Sequence, residues 1–79
     1  MASVMTFSNI FAGMKARVLA IRTDSDDAKR LAEMGLVPGT EFEVIKIAPL
    51  GDPVEISLRG YRLCLRKREA DFLEIEPIQ

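Results

Sequence analysis

The run from residue 54 to residue 66 restricts this chain more than any other. Val54, Ile56 and Leu58 alternate with Glu55, Ser57 and Arg59, and Tyr61, Leu63 and Leu65 alternate with Arg62, Cys64 and Arg66. Alternation with a period of two marks half-buried strands. A turn at Arg59-Gly60 or at Gly60-Tyr61 sets both apolar groups on one face, and the pattern does not choose between the two turns. Either way the run is a hairpin with one face toward a core.

Upstream, residues 16–22 read as a first strand, apolar on both faces over residues 18–21. Asp24 or Ser25 can cap a following helix, and Asp26 and Asp27 favour its positive end. Ala28, Leu31 and Ala32 then make one apolar stripe along residues 26–34. Gly35 fits the left-handed position just past the helix, with Leu36 folding back on Leu31. Pro38 and Gly39 fit the centre of a type II turn, because proline presets φ and glycine accepts a positive one. Residues 40–47 form a second strand with a fault: Phe42 and Val44 share one face, Ile45 and Ile47 the other. A bulge or sharp bend would explain the switch, and so would a strand covered on both faces near its end.

The flanks are less informative. Phe7, Ile10 and Phe11 have the spacing of one amphipathic turn against the core, ended by Gly13. Residues 1–5 read as a flexible extension. Residues 67–71 read as one helical turn and residues 72–76 as a closing strand. The expected fold is mainly β: a small, partly open antiparallel barrel of about five strands with one short helix, a single domain over residues 1–79.

Composition narrows the function. At 79 residues the chain has room for one domain with a thin core. A net charge of −1 argues against nucleic-acid binding by bulk electrostatics. Histidine is absent, which removes the commonest general base and the commonest metal ligand together. Cys64, the single cysteine, excludes an internal disulfide and suits a reducing compartment. The N-terminus lacks a signal-peptide pattern, and no apolar run is long enough to span a bilayer. These features point to a cytosolic domain without membrane insertion.

No catalytic constellation is present. Cys64 has no histidine to activate it and reads as a small side chain on the far face of the hairpin. Asp24, Asp26 and Asp27 lack the glycine and distal glutamate of a calcium loop, and helix capping accounts for them. No metal or cofactor site is expected. Arg59, Arg62, Arg66, Lys67 and Arg68 form a basic segment followed by Glu69, Asp71, Glu74 and Glu76. It reads either as a patch for phosphate or an acidic partner, or as a solvated face paired with the acidic tail.

Three stretches resemble a known family when taken in order: residues 31–40 (Leu-Ala-Glu-Met-Gly-Leu-Val-Pro-Gly-Thr), residues 48–53 (Ala-Pro-Leu-Gly-Asp-Pro) and residues 63–67 (Leu-Cys-Leu-Arg-Lys). They closely resemble the ferrous iron transport protein A, or FeoA, proteins, and the likeness runs from about residue 6 to residue 76. The resemblance implies an SH3-like barrel in the bacterial cytoplasm. It also implies a non-enzymatic, assisting or regulatory role beside ferrous iron transport protein B, a membrane protein with a GTP-binding domain. An SH3-like regulatory domain of the iron-dependent repressor type is the alternative, and a nucleic-acid-binding barrel using residues 59–68 is another. Ferrous iron enters through the pathway, not through a ligand set in this chain.

For an adaptor, the loop over residues 48–53 is the natural contact. Pro49 and Pro53 restrict its backbone and Gly51 opens conformations closed to other residues, so Leu50 should stand near a stiff tip. Pro49, Leu50, Gly51, Asp52, Arg59 and Arg62 are the candidate partner contacts, and Gly35, Pro38 and Gly39 the structural turn. Leu50 folding inward to plug the barrel is the competing reading. With few aromatics free, a conventional proline-peptide groove is not expected. A thin core and exposed strand edges favour self-association.

Overall fold

The computed structural model describes residues 4–78. In chain order the strands are β1 (Met5–Thr6), β2 (Lys15–Ile21), β3 (Glu41–Ile47), β4 (Val54–Leu58), β5 (Tyr61–Leu65) and β6 (Leu73–Ile78), with one helix, α1 (Asp26–Glu33), between β2 and β3. They form one antiparallel sheet of six strands in the order β1-β6-β2-β3-β4-β5. The sheet curls without closing, so β1 and β5 are its edges. The strand beyond the expected set is β1, where Met5 pairs with Ile75 and Thr6 with Glu74. The sequence puts Met5 in a flexible extension, because a two-residue strand offers no alternation to read; residues 1–3 lie outside the described residues.

Phe7, Val18, Leu31, Leu36, Val44, Val54, Ile56, Leu73 and Ile75 are fully buried in the core. The N-terminal turn contributes less than its spacing promised. It is a 3-10 turn, Phe7–Asn9, in which residues three apart eclipse and a residue four apart swings away. Phe7 and Ile10 are buried accordingly, while Phe11 is 61% exposed. Phe7 packs on Phe42 with ring centroids 6.1 Å apart, a pairing worth about 0.5–1.5 kcal/mol beyond area.

Local chemistry sets the path of α1. Ser25, not Asp24, is its cap, its Oγ accepting from the Ala28 N–H at 3.2 Å. At the other end the Leu36 N–H donates to the Leu31 carbonyl and the Gly35 N–H to the Ala32 carbonyl, both at 3.0 Å. That is the Schellman arrangement, with Gly35 at φ +102°. The Thr40 N–H donates to the Val37 carbonyl at 3.0 Å, closing the turn over Pro38 and Gly39. The Thr40 hydroxyl donates back to the Gly35 carbonyl at 2.8 Å, tying the two turns together.

The fault in β3 is a bulge. Val44 faces Ile56 but Lys46 faces Glu55, leaving Ile45 without an opposite residue, so the faces switch as a bulge requires. The hairpin turn is Arg59-Gly60: Leu58 pairs with Tyr61, and φ is +51° at Arg59 and +85° at Gly60. Two positive φ values in a two-residue loop match the twist of the flanking strands.

Candidate functional site

Residues 48–53 join β3 to β4 as a compact projection. The Gly51 N–H donates to the Ala48 carbonyl at 2.8 Å, and the Ala48 N–H donates to the Pro53 carbonyl at 3.1 Å. Asp52–Pro53 is a cis peptide bond. Asp52 anchors the loop sideways, its Oδ1 accepting from the Lys67 N–H at 2.9 Å. That bond reaches the 3-10 turn Lys67–Glu69, which follows β5. The loop is therefore held at its base by its own backbone and at its flank by a side chain.

At the tip, Leu50 is 98% exposed. It does not plug the barrel, whose interior is filled by other side chains, among them Leu31, Leu36, Val44, Ile56 and Ile75. A leucine kept in water on a restrained loop has no role in the core. Ala48, Pro49 and Pro53, at the base of the loop, line a cleft of about 260 Å³ together with Lys46, Ile47, Glu55 and Cys64. Cys64 and Glu55 are cross-strand neighbours, as are Glu55 and Lys46. The three form a row across the outer face of β3, β4 and β5. Glu55 receives Arg62 at 3.0 Å and Lys46 at 3.9 Å.

The six candidate contact residues do not form one patch. Pro49, Leu50, Gly51 and Asp52 share the loop. Arg59 sits in the hairpin turn at the far end of β4, six residues beyond Pro53 and so about 20 Å away at ~3.3 Å per residue. Its Cδ lies 3.6 Å from where a side chain at Gly35 would begin. Arg62 lies between these ends on the exposed edge of β5. Alternation placed each residue on a face but carried no information on distance along the hairpin.

Charge pairing also departs from the sequence reading. The acidic tail pairs with other partners than the basic segment. Glu74 pairs with Arg22, Glu76 with Arg17 at 3.0 Å, and Glu69 with Arg30 at 2.9 Å. Arg59, Arg66, Lys67 and Arg68 have no ion-pair partner among the described residues. Strand order explains this: β6 lies beside β2, which carries Arg17 and leads to Arg22, and β5 lies at the far edge. Glu69 does meet the basic segment, through backbone; its Oε1 accepts from the Arg66 N–H at 2.9 Å. That bond, and after it the Arg30 guanidinium, holds the Glu69 carboxyl below the ordinary carboxylate range.

Among the described residues, no group of three or more Cys, Asp or Glu side chains converges as metal ligands, and no helix is long and apolar enough to cross a membrane. The geometry sets an exposed leucine tip, a cleft and cations without ion pairs among the described residues beside one another. Sequence reasoning missed the cleft, the Asp52–Lys67 tie and the edge position of β5. The proline-rich loop beside an alternating strand was the one signal for the cleft.

Residues 5–77 match the FeoA domain family. The chain is 34% identical over 74 residues to the Fe(2+) transport protein A/Fe(2+) transporter FeoB fusion protein of Porphyromonas gingivalis. That alignment takes in 94% of this chain but only 9% of the fusion protein. The solution structure of a FeoA-like protein from Clostridium acetobutylicum superposes with a TM-score of 0.90 at 34% identity, covering 100% of this chain and 92% of that one. The crystal structure of Stenotrophomonas maltophilia FeoA complexed with zinc, described as a procaryotic SH3 domain protein, gives a TM-score of 0.75 at 29% identity, covering 87% and 86%.

Proposed function

The chain belongs to the FeoA domain family, and from that membership we propose that it is a non-enzymatic accessory and regulatory protein of ferrous iron uptake. It acts in the cytoplasm by direct contact with the cytosolic part of ferrous iron transport protein B. The observation that carries this reading is the Porphyromonas gingivalis relative, in which transport protein A and the FeoB transporter are fused. Fusion raises the effective concentration of one part at the other, an advantage where the two must meet.

The loop surface supports the same reading. Leu50 is presented on a loop restrained by Pro49, by two backbone bonds and by Asp52, so ordering it on a partner costs little entropy. Burying a leucine side chain contributes about 1.5–3 kcal/mol, which makes it a suitable anchor on a loop whose base lines the cleft. Iron is the cargo of the partner here, and the accessory chain needs no ligand set of its own.

The test is titration of the transporter's cytosolic part with the wild-type chain and with Leu50→Asp. Substitution at an exposed site should leave stability within about 0.5 kcal/mol, so the melting temperature should hold. Binding should weaken by about 10- to 100-fold, one to two steps of ~1.4 kcal/mol. A folded Leu50→Asp variant that binds normally removes Leu50 from the contact. Failure of the wild-type chain to bind removes the partner itself.

A further inference from the structure

Among the described residues, β5 ends the sheet and has a neighbour on one side only. Leu58 and Tyr61 flank a two-residue turn and so form a hydrogen-bonded pair, and bonded pairs alternate along an antiparallel ladder. Ile56–Leu63 and Val54–Leu65 are then the other bonded pairs. Arg62 and Cys64 therefore aim their N–H and C=O groups away from β4, and both residues are exposed. Arg66 continues the same parity in extended conformation, at φ −81° and ψ 144°. Its outward N–H is already taken by the Glu69 carboxylate at 2.9 Å. One position on this edge thus holds an acidic group, and the two before it are open.

Side chains decide what kind of strand fits beside them. Arg62, Cys64 and Arg66 share the outer face, and Tyr61, Leu63 and Leu65 the inner one. Tyr61 is 41% exposed and Leu63 partly so. A strand laid along β5 would set alternate residues against the arginines and the others beside Tyr61 and Leu63. A second copy of this chain fits badly. Pairing centred on Cys64 sets Arg62 opposite Arg66, and like charges directly opposite are destabilising; pairing centred on Leu63 brings the two Arg62 side chains within diagonal reach.

We propose that the open edge of β5 accepts an extended segment of a partner protein, with acidic residues alternating with apolar ones, as an added strand. The proposal rests on the partner-contact reading above and supplies the chemistry of the segment recognised. Main-chain bonds at Arg62 and Cys64 give the attachment, and charge complementarity gives the selection, chiefly through Arg66, since Arg62 already pairs with Glu55 at 3.0 Å. Lys67 and Arg68, unpaired on the following turn, extend the basic surface toward the Leu50 loop.

The probe is a blocked peptide of alternating glutamate and valine, with a lysine–valine peptide as control, titrated into the isotope-labelled full chain. Only the acidic peptide should shift the Arg62 and Cys64 amides and slow their hydrogen exchange, and added salt should weaken it. Cys64→Pro deletes an outward N–H without removing a bond to β4, a change edge strands tolerate. It should weaken the acidic peptide about tenfold. Should that variant fail to fold, Arg66→Glu carries the test, with a loss of about tenfold from reversed charge. The proposal is overturned if the acidic peptide leaves both amides unchanged or if the lysine peptide does as much. It is overturned equally if raising protein concentration alone protects both amides, since the occupant is then a second copy. The transporter's cytosolic part is a second titrant. If it binds wild type and Cys64→Pro alike while the peptide gives no response at the edge, the edge proposal alone falls. If the peptide seats on the edge and the transporter part does not bind, the edge stands and that partner falls.

Discussion

Replacing Gly35 by alanine separates two costs at the point where α1 turns back toward the sheet. The first is backbone: φ at Gly35 is +102°, and left-handed conformations cost an ordinary residue about 1–2 kcal/mol. The second is space. A Cβ at Gly35 would lie 3.2 Å from Tyr61 Oη, with Arg59 Cδ at 3.6 Å and Leu58 Cδ1 at 3.7 Å. Tyr61 is 41% exposed, so it can yield a few tenths of an ångström. The contact should then cost about 0.5 kcal/mol, below the ~1–3 kcal/mol of overpacking a closed core. Gly39 supplies the control, because its φ is +95° and a Cβ there meets nothing within 4 Å. For a domain of this size each kcal/mol shifts the melting temperature by about 4–8 °C. Gly39→Ala should therefore lower it by ~4–16 °C, and Gly35→Ala by ~2–4 °C more. Tyr61→Phe removes the atom at 3.2 Å and should restore that extra loss in the Gly35→Ala background while changing the parent little. The assay is thermal melting of the four-member cycle followed by circular dichroism. An unchanged melt for Gly35→Ala refutes the backbone reasoning. Equal losses at the two glycines, with Tyr61→Phe purely additive, refute the contact.

Three further outcomes follow from single interactions. Ser25→Ala deletes the acceptor of the Ala28 N–H and should cost about 1 kcal/mol, or ~4–8 °C in a thermal melt; the same loss at Asp24→Ala would reassign the cap. Glu69 has a folded pKa below the ordinary value of 4.5, so its contribution is present above that value and lost as pH falls through the folded pKa. Glu69→Gln should accordingly melt a few degrees below wild type at pH 7, with the gap closing below about pH 4.5; a gap independent of pH would mean that the charge is idle. In anaerobic calorimetry the isolated chain should show no one-to-one ferrous binding at or below about micromolar, the level of ~8 kcal/mol, and a stoichiometric isotherm in that range would reverse the expectation.

What could be read from the sequence was whatever depends on neighbours in the chain. Alternation over residues 54–66 needs only the period of a strand, and it yields the hairpin, its core face and the outward position of Cys64. Gly35-Leu36 and Pro38-Gly39 each answer a backbone demand within a few residues, and both turns form where they were expected. The break at Ile45 was visible for the same reason, though only pairing with β4 identifies it as a bulge. What could not be read depends on which strands become neighbours. β1 exists because β6 offers an edge to Met5 and Thr6, and two residues carry no pattern. The acidic tail pairs with Arg17, Arg22 and Arg30 because β6 lies beside β2 and the turn before it packs near α1. Nearness in sequence had matched that tail to the basic segment. The candidate site divides along the same line. Leu50 stands in water because of its own prolines and glycine, a local cause. The free state of Arg66, Lys67 and Arg68, the cleft at Cys64 and the open ladder on β5 all follow from strand order. The proposed contact surface is thus assembled from local loops by non-local pairing, and its chemistry becomes legible only once the edge strand is known.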